Sequence, residues 1–262
     1  MTAPENMEGR CIVITGAGRG LGAAFAIVLA DAGARVILTG RTSGPLEGTR
    51  DAIAGRTGQH PDIQVLDLSN PLDAAQTARD LAGRTRGIDG LINNAATWQS
   101  GSLGDNDDAE IAAVINSHVT GTLLVTKALA PALMAAPAAD IINIVSTSGL
   151  PNTPLHGASV AFHAGKHGQA GLSEALRQNF ADTNVRVTAL FPPDLDTMTP
   201  LDPEWDLSPT RGRNQNVTSR DVVEAALFAM SRPRNCTLAS IVFDSDAGGL
   251  YPEGPLRHEE TS

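Results

Sequence analysis

The chain has 262 residues, of which 42% are hydrophobic, enough for one α/β domain with a full core and too few for two of ordinary size. Such a composition belongs to a folded globule and excludes a disordered chain. A formal charge of −10 and a pI near 5.0 argue against nucleic acid or an anionic membrane as partner. The opening residues MTAPENMEGR lack the basic-then-apolar layout of a signal peptide, and no apolar run reaches membrane length. A cytoplasmic protein is therefore expected. Cys11 and Cys236 read as small apolar residues within strands, a usage that suits a reducing compartment.

Taken in chain order, short β-branched runs alternate with longer amphipathic ones. Strands are expected at Cys11–Thr15, Arg35–Thr39, Ile63–Leu66, Gly90–Ile92, Ile141–Ser146, Val185–Leu190 and Leu238–Phe243. Helical patterns lie between them, among others Leu21–Ala30, Leu72–Ala82, Ala109–Leu133, His163–Phe180 and Ser219–Met230. Buried strands alternating with helices imply right-handed βαβ units. The expected fold is one α/β domain over 1–262, a Rossmann fold whose doubly wound parallel sheet has about seven strands flanked by helices. The Pro-rich, acidic stretch opening at Pro192 is too long for a bare turn, so 192–217 is a candidate substrate lid. The polar tail 251–262 reads as loose or as an oligomer contact.

Thr15-Gly16-Ala17-Gly18-Arg19-Gly20-Leu21-Gly22 leaves the first strand and opens the first helix. Glycines there let the backbone approach a pyrophosphate, and the helix N-terminus offers free N–H groups and positive potential. This turn resembles the TGxxxGxG signature of the short-chain dehydrogenase/reductase family. Asn93-Asn94-Ala95-Ala96 is similar to that family's NNAG motif with its last Gly changed to Ala. Phe191-Pro192-Pro193-Asp194 through Thr197 resembles its PG…T segment, with Pro193 in place of Gly. The ordered match covers residue 10 to about 245.

The resemblance implies a nicotinamide cofactor held by Gly16, Arg19, Gly20, Leu21, Gly22, Asp67, Leu68, Asn93, Ala95, Lys166, Pro192 and Thr197. Asp67 falls where the family meets adenine, and Thr197 where it meets the carboxamide. An acidic residue about 20 positions past the glycines would bond the adenosine ribose and repel a 2′-phosphate. Here Gly40 occupies that position and Arg41 follows it. With Arg19, two guanidiniums and no carboxylate favour NADP(H).

The family's proton chemistry uses Ser, Tyr and Lys, with Tyr four residues before Lys on one helix face, and an Asn on the preceding helix. Ser146 and Lys166 match the first and last. The tyrosine position is Phe162, which has no ionisable group, and the chain's one tyrosine, Tyr251, lies in the tail. The Asn position is His118, with Asn116 two residues off register. The loop from Ser146 to Phe162 is longer than is usual in the family. His156 in that loop and His118 are the candidate replacements, joining Ser146 and Lys166 as catalytic candidates. His163 and His167 read as packing or interface residues. Trp98 and Trp205 are expected to border the cleft and to suit an apolar or aromatic substrate. No metal site is expected.

Three readings follow. The first is an NADP(H)-dependent carbonyl or alcohol oxidoreductase with a non-Tyr acid/base, acting on a small, biosynthetic molecule. The second is a non-redox isomerase, cyclase or lyase on the same scaffold, since function does not follow from fold. The third is a silent subunit of a mixed oligomer with an active paralogue. The family resemblance also implies a homodimer or homotetramer, through the helical patterns Ala109–Leu133 and His163–Phe180.

Overall fold

The computed structural model describes residues 7–212 and 215–245. Strand β1 (Cys11–Thr15) is wholly buried and sits mid-sheet, flanked by β2 (Arg35–Gly40) and β4 (Gly90–Asn93). Outward from β2 lies β3 (Asp62–Val65); outward from β4 lie β5 (Ala139–Ile144), β6 (Val185–Phe191) and β7 (Ser240–Val242). The order is β3-β2-β1-β4-β5-β6-β7, every pair parallel, which is the doubly wound sheet expected. Its direction of winding reverses between β1 and β4, and ligands in such sheets bind at the carboxyl ends beside that reversal.

The inner strands β1, β2, β4, β5 and β6 read as largely apolar runs because both faces are covered, whereas the edge strands β3 and β7 are partly exposed. Side chains alternate along each strand. Ile12 and Ile14 of β1 enter one core with Val36, Leu38, Ile92 and Leu190, while Cys11 and Val13 enter the other with Ile37, Leu91 and Val187. Helices α1 (Gly20–Asp31), α2 (Ser43–Thr57) and α8 (Ser219–Ser231) cover the first face. Helices α3 (Pro71–Arg84), α5 (Thr122–Ala135) and α6 (Val160–Asn179) cover the second.

Three details depart from the sequence reading. The pattern 109–133 is not one α-helix: α4 (Asp108–Ile115) passes through a π-helical turn, Asn116–Gly121, into α5. That turn packs tightly on the neighbouring loop, since a Cβ at Gly121 would strike the Leu68 carbonyl oxygen. Cys236 is half-buried in the loop after α8, outside any strand, whereas Cys11 is buried in β1 as expected. The stretch opening at Pro192 carries the short α7 (Glu204–Leu207) and a 3₁₀ turn, Ser208–Thr210. The tail 251–262, with Tyr251, lies outside the described residues.

At the amino-terminal edge of the sheet, buried Asp140 receives Arg10 Nη2 at 3.0 Å, Arg186 Nε at 2.8 Å and Arg234 Nη1 at 3.0 Å. These bonds tie the ends of the strands together at the edge opposite the clefts described next.

Candidate active site

Two connected clefts open at the carboxyl ends of the strands. The first, about 420 Å³, follows the ends of β1, β2, β3 and β4. Its floor is the glycine turn. Thr15 Oγ1 accepts the N–H groups of Asn94 and Ala95, each at 3.0 Å, and Asn94 Nδ2 donates to the Thr15 carbonyl at 3.0 Å. The ends of β1 and β4 are thereby locked together. Gly16 stands at φ +70°, and a Cβ on Gly22 would collide with the Gly16 carbonyl and lie 2.5 Å from Asn94 Nδ2. Only glycine lets α1 pack so close to the turn. No side chain caps the first turn of α1 and no acidic residue lies in it, so its N–H groups are left for an anion.

At the far end of this groove stand Arg19, Gly40, Arg41, Thr42 and Asp67. Both arginines are exposed, and neither makes an ion pair among the described residues. Asp67 is turned partly on its own loop, its Oδ1 accepting Ser69 N–H at 3.0 Å and Ser69 Oγ–H at 2.8 Å. Leu68 and Ala95 also line the groove. Thr197 lies opposite the turn, its Cβ 3.9 Å from where a Cβ on Gly20 would be.

Asn93, expected at the cofactor, is instead buried beneath it. Its Nδ2 donates to Thr126 Oγ1 at 3.1 Å and Asn143 Oδ1 at 2.8 Å. The next residue, Asn94, reaches the groove, as do Ser117, Pro45 and Leu46, none of which the sequence reading singled out.

The second cleft, about 700 Å³, shares Leu21, Asn94 and Ala96 with the first. Ser146, His156, Phe162, Lys166, Trp98 and Pro192 all line it. Ser146 follows β5, its Oγ accepting the Ser148 N–H at 3.1 Å. Phe162, in the first turn of α6, is buried, its ring in T-shaped contact with Trp98 at 4.7 Å and with His118 at 5.2 Å between centres. Lys166 Nζ lies 5.7 Å from the Phe162 ring centre and donates to the Ile144 carbonyl at 3.1 Å and to Gln169 Oε1 at 2.9 Å. Burial pushes this amine down to about 7.

His118 is fully buried in the π-turn and lines neither cleft. Its Nε2 accepts the Thr97 N–H at 3.2 Å, and its Nδ1 has no partner. Burial, and after it the Lys166 charge, push the imidazole down to about 3, so it is neutral at working pH. His156 is exposed on its loop at φ +49°, a left-handed conformation unusual for a non-glycine residue. His163 and His167 pair on α6 with rings 4.7 Å apart, and burial followed by the His167 charge lowers His163.

Trp205 is a correction. It does not border the cleft but is buried in the core with residues of α8, with the Arg220 guanidinium 5.9 Å from its ring centre. Trp98 does line the cleft and is 61% exposed, so an aromatic surface is open to a ligand there.

A glycine turn feeding a helix N-terminus at the reversal of a parallel sheet defines a Rossmann-fold protein of the dinucleotide-binding class. The chain belongs to the short chain dehydrogenase family, whose model matches residues 10–205. An uncharacterized oxidoreductase of Staphylococcus saprophyticus is 27% identical over 235 residues, covering 90% of this chain and 97% of that protein. A protein of Escherichia coli CFT073 assigned as a short chain dehydrogenase, solved in complex with NADPH, is 25% identical at a TM-score of 0.77, covering 92% and 98% of the two chains. A protein of Beutenbergia cavernae assigned as an NAD(P)-dependent gluconate 5-dehydrogenase, solved with NADP at low occupancy, is 27% identical at a TM-score of 0.79, covering 94% and 99%.

Proposed function

We propose that this protein is an NADP(H)-dependent oxidoreductase acting on a carbonyl or alcohol in a small apolar or aromatic molecule, without a phenolic acid. The observation that carries the reading is the groove's far end. Gly40 puts no carboxylate beside the ribose position, and Arg19 and Arg41 flank it with no ion pair among the described residues. Guanidiniums pair bidentately with phosphate oxygens, whereas a carboxylate would repel them. The similar structures solved with NADPH and NADP point the same way.

When bound, the cofactor supplies or takes a hydride. The turn Gly16–Gly22 and the α1 N-terminus would hold its pyrophosphate, and Arg19 and Arg41 its 2′-phosphate. In the second cleft Ser146 offers a hydroxyl to the substrate oxygen. The titratable side chains lining it are Lys166, His156 and Asp194, and of these Lys166 and His156 carry an N–H able to replace the phenol. Trp98 and Phe162 supply an aromatic wall, and Pro154, Leu155, Pro192 and Leu195 an apolar one. His118 lies out of reach of substrate and acts through packing.

Phe162 in the tyrosine's place favours a second reading, a non-redox isomerase, cyclase or lyase, and is equally compatible with a silent subunit beside an active paralogue. Purified protein given NADPH and a panel of aromatic and aliphatic ketones separates the three. Carbonyl reduction with matching loss of reduced nicotinamide supports the oxidoreductase. Product formation with the nicotinamide unchanged supports the second reading, and activity that requires an added paralogue supports the third.

We also propose a homodimer or homotetramer in the cytoplasm. Leu123 and Met134 on α5 and Val160 on α6 are exposed apolar side chains on the helices expected to meet a second copy. No helix among the described residues is long and apolar enough to cross a membrane. Sedimentation at micromolar concentration tests the assembly, and a monomer there refutes it.

A further inference from the structure

Lys166 and Gln169 stand three residues apart on α6, a spacing that brings two side chains together on one helix face. Both are buried, and Lys166 makes no ion pair among the described residues. Its Nζ has two protein acceptors, the Ile144 carbonyl at 3.1 Å and Gln169 Oε1 at 2.9 Å. A neutral amine has two hydrogens and an ammonium three. The two acceptors therefore take both hydrogens of the amine and leave one hydrogen of the ammonium unclaimed by protein. Lys166 also lines the substrate cleft, on the side where Phe162 offers no competing proton.

Gln169 is itself well anchored. Ser173 Oγ donates to its backbone carbonyl at 2.7 Å and accepts Asn143 Nδ2 at 2.9 Å, which ties this turn of α6 to β5. The turn of α6 that carries the acceptor is thus fixed to the sheet, and the acceptor itself meets Lys166 at 2.9 Å.

We propose that Lys166 is the catalytic acid and base of the substrate cleft, and that Gln169 is the positioning residue that holds its amine and sets its charge. This rests on the oxidoreductase reading above. In the reducing direction the carbonyl carbon receives the hydride of NADPH. The carbonyl oxygen takes the unclaimed proton of the Lys166 ammonium, an N–H bond breaking as the O–H bond forms. The products are the alcohol, NADP⁺ and a neutral amine still bonded to Ile144 and Gln169, and solvent returns the proton.

The other charged groups around Lys166 are few. On α6 itself His163 and His167 pair with each other, and the π-turn contributes neutral His118. The loops over the cleft bring His156 and Asp194. The 3₁₀ turn Thr147–Gly149 has no ionisable side chain. Helix α4 has Asp108 and Glu110 in its first turn, Glu110 being engaged in the capping box with Asp107. Asp140 of β5 and Arg186 of β6 are bonded to each other at the opposite edge of the sheet. Desolvation alone lowers this amine, which fits a lysine ready to give up its proton near neutrality.

The chain has only two lysines, so labelling lysine with ¹³C gives two side-chain signals, and Lys127→Arg assigns them. In the wild type the Lys166 signal should titrate near neutrality. Gln169→Glu places a carboxylate on the ammonium and should raise that midpoint by roughly 1–3 pH units, while Gln169→Leu removes an acceptor and should lower it. The alkaline limb of kcat for ketone reduction should move with the signal, upward in the first variant and downward in the second. Lys166 titrating in the ordinary lysine range overturns the proposal, and so does a pH profile that stays fixed while the signal moves, as it would if His156 were the acid. Absence of redox turnover in a wild type whose Lys166 titrates as expected strikes the oxidoreductase reading first, and this role with it. Unlike activity, the titration needs no substrate, so the two failures are told apart.

Discussion

His118 holds Thr97 in place: its Nε2 accepts the Thr97 N–H at 3.2 Å, and so fixes the chain segment that carries Trp98 to the cleft. The imidazole does this only while neutral. Its ordinary value is about 6.5, and in the folded chain it is held down to about 3, first by burial and then by the Lys166 charge. Between those values the unfolded chain binds a proton that the folded chain refuses. Stability therefore rises with pH across that window and is lost as pH falls through it. The slope from this one group is on the order of 1.4 kcal/mol per pH unit at most. Urea denaturation of wild type and His118→Asn from pH 7 to pH 4 should show the steeper loss in the wild type. Equal slopes would place His118 in contact with water.

The glycine cradle makes a sharper demand. A Cβ on Gly22 would strike the Gly16 carbonyl and stand 2.5 Å from Asn94 Nδ2, both parts of the floor that holds the turn to β4. Gly22→Ala should push α1 off the turn. Overpacking of this kind costs about 1–3 kcal/mol, so the melting temperature should fall by a few degrees and NADPH binding by roughly tenfold or more. Calorimetric titration with the cofactor checks it, and wild-type affinity in a folded Gly22→Ala protein would disprove the packing argument.

Arg41 should decide between cofactors. A charge-assisted hydrogen bond contributes about 1.5–3 kcal/mol when well formed, and exposure reduces that at this rim. Arg41→Ala should weaken NADPH by roughly tenfold and leave NADH nearly unchanged. Arg19→Ala should do the same to a smaller or similar degree, and the double variant should approach equal affinity. Fluorescence titration of both cofactors reads this directly. A wild type that prefers NADH, or an unchanged preference in Arg41→Ala, would overturn the assignment.

The inner strands were legible because both sheet faces are covered there, so β1, β2, β4, β5 and β6 are short runs dominated by apolar or β-branched residues that break at turns. Helix α2 was not singled out, since Gly44, Pro45, Gly48 and Gly55 blur its period and only Leu46, Thr49 and Ile53 are buried. The π-turn leaves little trace in a periodicity, because one extra residue per turn shifts the pattern only locally. It nonetheless decides where His118 goes. The Asn93-Asn94 pair was legible as a site, but not which of the two faces the cofactor groove: β4 ends there, and the bond from Thr15 turns Asn94 rather than Asn93 upward. Trp205 was misplaced because nothing in its neighbourhood of the sequence states that α8 packs over it. Gln169 gave no signal, since a lone glutamine on an amphipathic helix is ordinarily a surface residue.

Phe162→Tyr tests how far the cleft keeps the geometry of its family. The change adds one hydroxyl to a ring that borders the second cleft, in T-shaped contact with Trp98 and His118 and with Lys166 Nζ 5.7 Å from its centre. A phenol there gains a positive neighbour when Lys166 is protonated, and that lowers its pKa from about 10. Ser146 lines the same cleft, so a substrate oxygen that reaches the new hydroxyl also reaches a second donor. A positioned acid contributes roughly 100- to 10,000-fold, and NADPH-dependent reduction of simple activated ketones should rise by an amount within that range. Comparison of Ser146→Ala, His156→Ala and Lys166→Met in the Phe162→Tyr background then shows which wild-type groups the phenol makes redundant. Lys166→Met should abolish the gain, because a phenol without the charge returns to its ordinary pKa. No gain in a Phe162→Tyr protein that folds and binds NADPH would mean that the cleft has been rebuilt around a different reaction. The non-redox and silent-subunit readings would then replace the oxidoreductase one.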